Sequence, residues 1–128
     1  VFFVNYGGAD GCPTTSVPSA GGCNSVFPAE TIWRVSWSGL AYPLPEIYTT
    51  SGSQASQWKY LSLYSYLNHG SKFTFKGVMT QAGACNQAGP CSGTNNGPST
   101  GWSQLNTAVN TDSRTATTPD GPTDIRWK

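Results

Sequence analysis

The stretch Gln57 to Lys76, QWKYLSLYSYLNHGSKFTFK, constrains the fold of this chain more than any other. A dense aromatic and aliphatic run meets a stop signal at Asn68-His69-Gly70, and a short alternating run, Phe73-Thr74-Phe75, follows. The pattern predicts one amphipathic helix, Ser53 to Gly70, breaking into a strand. The core LSLYSYL also alternates as a strand would, but the run is long for a strand and Gly70 stands where a left-handed C-cap belongs. Ser53 or Ser56 would cap the other end. On a helix, Tyr60, Leu61, Leu63, Tyr64 and Leu67 share a broad inward face, and Trp58, Lys59, Ser62 and Tyr66 fall outside.

The rest reads as strands and polar loops. Val1 to Tyr6 is apolar throughout, as a strand buried on both faces would be. Thr31 to Gly39, TIWRVSWSG, places Trp33, Val35 and Trp37 on one face and Arg34, Ser36 and Ser38 on the other, the pattern of a half-buried strand. Ala41 to Pro45 holds two prolines and is expected to be extended, at an edge or in a turn. Ser71 to Met79 is expected as a strand with Phe73 and Phe75 inward, and Thr80 to Gly101 as a long loop. Trp102 to Val109 could be strand or short helix, and Thr123 to Lys128 closes as a strand with Ile125 and Trp127 inward. The 128 residues fit a single domain without internal repeats. The expected fold is mainly β with one helix: a small barrel, or a curved antiparallel sheet with the helix packed on it.

Only 10% of residues are charged, against about 25% in ordinary soluble domains, and Gly, Ser, Thr and Asn replace them. A net charge of +1 gives no electrostatic reason to expect nucleic acid as a partner. No apolar run is long enough to insert in a membrane. The chain starts at Val1, which reads as a mature protein whose signal peptide has been removed. The absence of an Asn-x-Ser/Thr sequon favours a bacterial source among secreted proteins. Four cysteines allow three disulfide pairings. Cys12 with Cys23, and Cys85 with Cys91, is the favoured set, because each pair brackets a Gly/Pro/Ser-rich loop without a core of its own. Their spacings miss the usual zinc knuckle, and no calcium-loop pattern occurs, so neither metal nor cofactor is expected.

Lys59-Tyr-Leu-Ser-Leu-Tyr-Ser-Tyr-Leu67, then Asn-His-Gly, then Lys72-Phe-Thr-Phe-Lys-Gly77, resembles a pattern in small secreted bacterial proteins related to the B subunits of AB5 toxins. The likeness covers about 20 residues by pattern. It implies an OB-type barrel in which a helix leads into a central strand, and, by analogy, a ring-forming glycan binder.

Catalytic constellations are poorly represented. His69 is the only histidine, and in the predicted helix stop it is favoured by the helix dipole. Asp10, Glu30, Glu46, Asp112, Asp120 and Asp124 show no spacing that pairs any two of them for glycoside hydrolysis. The expectation is therefore a protein without enzymatic activity. Five Trp and six Tyr in a weakly charged chain suit a carbohydrate-binding module, since flat rings stack on sugars and neighbouring polar groups bond the hydroxyls. Trp58, Tyr66, Trp102 and Tyr42 are the surface candidates, with Arg34 in support. The alternative is a structural subunit of an extracellular filament or coat, self-associating through Val1 to Tyr6.

Overall fold

Parallel strands cannot be joined by tight turns, so each pair needs a crossover, and this chain supplies helices for all of them. The computed structural model describes residues 3–24, 26–89 and 91–128. Strand β1 (Phe3–Gly7) leads to helix α1 (Ala29–Ser36), then β2 (Ala41–Pro45) and α2 (Ser53–His69). Strand β3 (Val78–Thr80), helices α3 (Ala82–Ala88) and α4 (Pro98–Val109), and strand β4 (Pro122–Asp124) follow. β1 pairs with β2 in parallel from Phe3↔Ala41 to Gly7↔Pro45, and β3 with β4 in parallel from Val78↔Pro122 to Thr80↔Asp124.

The two ladders meet along β2 and β3, where a parallel bridge joins Glu46 to Met79. Lys76 N donates to Pro43 O (2.9 Å) and Ile47 N to Met79 O (2.9 Å). Residues 43, 45 and 47 thus turn their backbone polar groups toward β3. Pro43 and Pro45 lack the N–H that this side requires, so the contact shrinks to a bridge. The strands follow one another in space as they do in sequence. Among the described residues, one hydrophobic cluster draws Ala29 and Ile32 from α1, Trp58 and Leu61 from α2, and Leu105 and Val109 from α4. Val78 of β3 belongs to the same cluster. Each large side chain buried there contributes about 1.5–3 kcal/mol.

This is not the mainly β protein that the sequence pattern suggests. Four helices and four short parallel strands are present among the described residues, and neither a barrel nor an antiparallel sheet forms. The OB-type barrel implied by the toxin-subunit resemblance is therefore not the fold.

The largest revision concerns residues 31 to 39, which fold as helix α1. Ala29, Ile32 and Ser36 are its buried residues, a helical spacing of three and four, while Val35 is exposed. Trp33 and Trp37, four apart, lie along one flank and donate to Ser65 Oγ (2.9 Å) and Ser71 Oγ (3.0 Å). Phe73 and Phe75 are buried as expected, but in irregular extended chain, and the strand begins only at Val78. Thr80 to Gly101 is not one long loop but holds α3 and the start of α4, with irregular chain between them, and Trp102 to Val109 belongs to α4. Ala41 to Pro45 is extended as expected, one strand of a two-stranded ladder, with only an isolated bridge at Glu46 reaching β3 on its proline side. Trp127 is 62% exposed, and the closing strand ends at Asp124. β1 is an edge strand with Phe3 66% and Tyr6 62% exposed, against the expectation of burial on both faces; Val1 and Phe2 lie outside the described residues.

Helix α2 keeps its expected bounds. Gly70 closes it at φ 83°, with its N–H on Tyr66 O (3.2 Å). Its N-cap is Gly52, not a serine. Its buried face is rotated from the expected one: Trp58, Ser62 and Ser65 are inside, and Leu67 is 53% exposed. The serines turn inward because both find partners there. Ser62 Oγ accepts from Phe73 N (2.8 Å), and Ser65 Oγ from the Trp33 indole.

Candidate functional site

In open parallel α/β sheets, ligands gather beyond the carboxyl ends of the strands, where successive loops converge. Here the loop after β1 carries Gly8 and Asp10, and β2 is followed at once by Glu46 and Tyr48. The parallel register sets Gly7 beside Pro45, and Glu46 N donates to Gly7 O (2.9 Å). Two carboxylates 36 positions apart in sequence are thereby brought to one end of the sheet. They flank the same glycine: a Cβ at Gly8 would lie 3.2 Å from Glu46 Oε2 and 3.8 Å from Asp10 Oδ1.

The two acids open into a groove of about 430 Å³, within the range of small-ligand sites. Tyr6, Phe27 and Val35, all exposed, form its apolar wall with Ile32, and Asn5 and Ser36 add polar groups. Asn5 Nδ2 donates to Ser36 Oγ (3.1 Å), tying β1 to α1. Asn24 holds the outer wall: its Nδ2 donates to Asp10 O (2.7 Å), and its Oδ1 accepts from Phe27 N (2.7 Å). The disulfide Cys12–Cys23 closes this loop, and Gln57 Nε2 anchors it to α2 through Cys12 O (3.0 Å). On the other side, Gln54 Oε1 accepts from Tyr48 N (2.6 Å) and Thr49 N (3.0 Å), fixing the chain after Glu46.

Electrostatics distinguish the acids. Burial, and secondarily the charge of Asp10, hold the Glu46 carboxyl above its ordinary range, although the Tyr48 hydroxyl donates to it. Tyr48 is itself pushed up to about 12, first by burial and then by the Glu46 charge. Asp10 is exposed.

None of the five residues singled out from sequence lines this groove. Trp58 is 1% exposed and packs against Phe73 and Phe75, so it is core. Trp102 is half-buried, its indole N–H shared between Pro119 O and Asp120 O (3.1 Å each). Tyr42 is half-buried, edge-on to Trp37 with Lys76 over its ring. Arg34 is exposed on α1. Tyr66 lines a separate groove of about 380 Å³ with Lys72 and Arg114. Both cations there are engaged, Lys72 with Ala116 O and Arg114 with Asp112 (2.7 Å). The residues that do converge, Tyr6, Asp10, Phe27 and Glu46, give no local sequence signal. The available hint is wider: strand and helix patterns that alternate imply a parallel sheet, and a polar residue just after a strand then lies at the ligand-binding end.

Cys85–Cys91 forms the second disulfide, so both bridges are the favoured local pairs and no described cysteine is free. Two disulfides fit an oxidising, extracellular setting. No helix among the described residues is long and apolar enough to cross a membrane, and no group of three or more His, Cys, Asp or Glu there could hold a metal ion. No protein-family model, curated protein or solved structure matches the chain.

Proposed function

We propose that this protein is a secreted carbohydrate-binding module and that the groove beside β1 and β2 holds a glycan of a cell surface or its receptor. One observation carries the reading: exposed Tyr6 and Phe27 share a groove with the carboxylates Asp10 and Glu46. A sugar presents an apolar ring face and a rim of hydroxyls. The two rings suit the face, and the two carboxylates accept from the hydroxyls through charge-assisted bonds. The test is a glycan array probed with wild type and Tyr6→Ala. Wild type is expected to bind a defined glycan class, and the variant about tenfold more weakly, a difference of about 1.4 kcal/mol. Wild type binding no glycan would end the proposal.

The second reading, self-association into an extracellular assembly, is favoured by the exposed edge of β1 and its outward Phe3. Deleting β1 would also damage the sheet, so the informative variant is Phe3→Lys. Sedimentation velocity is expected to show larger species in wild type that the substitution disperses. A monomer at every concentration would exclude this reading.

A further inference from the structure

We propose that the groove also cleaves the glycan it holds, with Glu46 as proton donor to the glycosidic oxygen and Asp10 as the base that activates water. The proposal rests on the carbohydrate reading above, and goes beyond it from binding to hydrolysis.

Three features of the site carry it. The first is spacing. Both acids line the same groove and lie against Gly8, and the oxygens that approach it are no more than about 7 Å apart, a bound that admits the separations at which paired carboxyls act on a glycosidic bond. The second is the difference in surroundings. Glu46 is half-buried against Tyr48, whereas Asp10 is exposed at the mouth of the groove, where water reaches it. A carboxyl kept protonated toward neutral pH is what a proton donor needs, and burial with a neighbouring carboxylate acts in that direction on Glu46. The third is rigidity. Glu46 follows β2 directly and its backbone is bonded to Gly7, and Asp10 is held through its carbonyl by Asn24. Tyr48 is a positioning residue that orients the Glu46 carboxyl.

The step balances as a hydrolysis. Glu46 gives its proton to the bridging oxygen as the bond from that oxygen to the anomeric carbon breaks. A water oxygen forms the new bond to that carbon from the opposite face while Asp10 takes its proton. The products are two free sugar ends, and proton exchange with solvent restores both carboxyls. A single displacement of this kind inverts the anomeric configuration.

The experiment incubates the purified protein with a panel of 4-methylumbelliferyl oligoglycosides carrying glucosyl, N-acetylglucosaminyl, galactosyl, mannosyl and xylosyl units. Release is followed by fluorescence, the first-formed anomer by NMR, and binding of the same panel by calorimetry. Wild type is expected to release fluorophore with inversion. Glu46→Gln and Asp10→Asn, confirmed folded by circular dichroism, are expected to lose about 100-fold or more of the rate while still binding. Binding without release overturns the inference and leaves the binding module standing. Neither binding nor release removes both. Release that survives Glu46→Gln, or that retains configuration, overturns the roles assigned here.

Discussion

His69 shows how much one residue's setting can exceed its sequence reading. Its ring stacks on Trp33 at 3.5 Å and 10°, and its Nε2 lies 3.0 Å from the Glu30 carboxylate. The Tyr64 hydroxyl donates to the same carboxylate, so α1 and α2 are joined by one acid with two donors. The helix dipole explains a histidine at a C-terminus but not this partner, because Glu30 is 39 residues away and nothing local announces it. Tyr64 first, and His69 after it, hold the Glu30 carboxyl below its ordinary value. A depressed native pKa means that the unfolded chain takes up its proton at a higher pH than the native one. The stabilisation is therefore complete at neutral pH, begins to fade as pH falls through the unfolded value of 4.5, and is gone below the native one. Tyr64→Phe is expected to lower stability at pH 7 by about 0.5–1.5 kcal/mol and to flatten its decline under acid. Urea unfolding midpoints from about pH 6 to pH 3 measure both effects.

At the scale of elements, the legible parts of the sequence were those with a local cause. Helix α2 could be read because Gly70 supplies a left-handed C-cap at the end of a long periodic run. The disulfides could be read because each closes a loop on its own. Helix α1 could not, since Trp33, Val35 and Trp37 fit a period of two, while the residues that bury, Ala29, Ile32 and Ser36, include a serine. The rotated face of α2 has no local signal for the same reason: Ser62 and Ser65 are inside because of hydrogen bonds to distant residues. Helix α4 owes its seat to Gly101, where a Cβ would stand 2.7 Å from Thr80 Cγ2 and 3.2 Å from Ile47 O. Gly101→Ala forces the helix away from β3, and the gain in helix propensity does not offset that. A net loss of about 1–3 kcal/mol is expected in denaturant melts.

The molecule as a whole is a row of strand and helix units laid down in order, with the paired acids at one end of its first two strands. That arrangement made the site illegible in sequence, because Asp10 and Glu46 meet only through the parallel register of β1 and β2. The row is not uniformly knit. Where Pro43 and Pro45 face β3, two amide donors are missing along one line, and that line is a crease between two blocks. Thermal opening along it would part the β3–β4 block from the one bearing the acids without breaking either ladder. Hydrogen exchange followed by mass spectrometry is expected to resolve two cooperative units, with the three-residue β3–β4 ladder exchanging first. The groove lies wholly within one block, so its shape is expected to outlast a fluctuation that loosens the other.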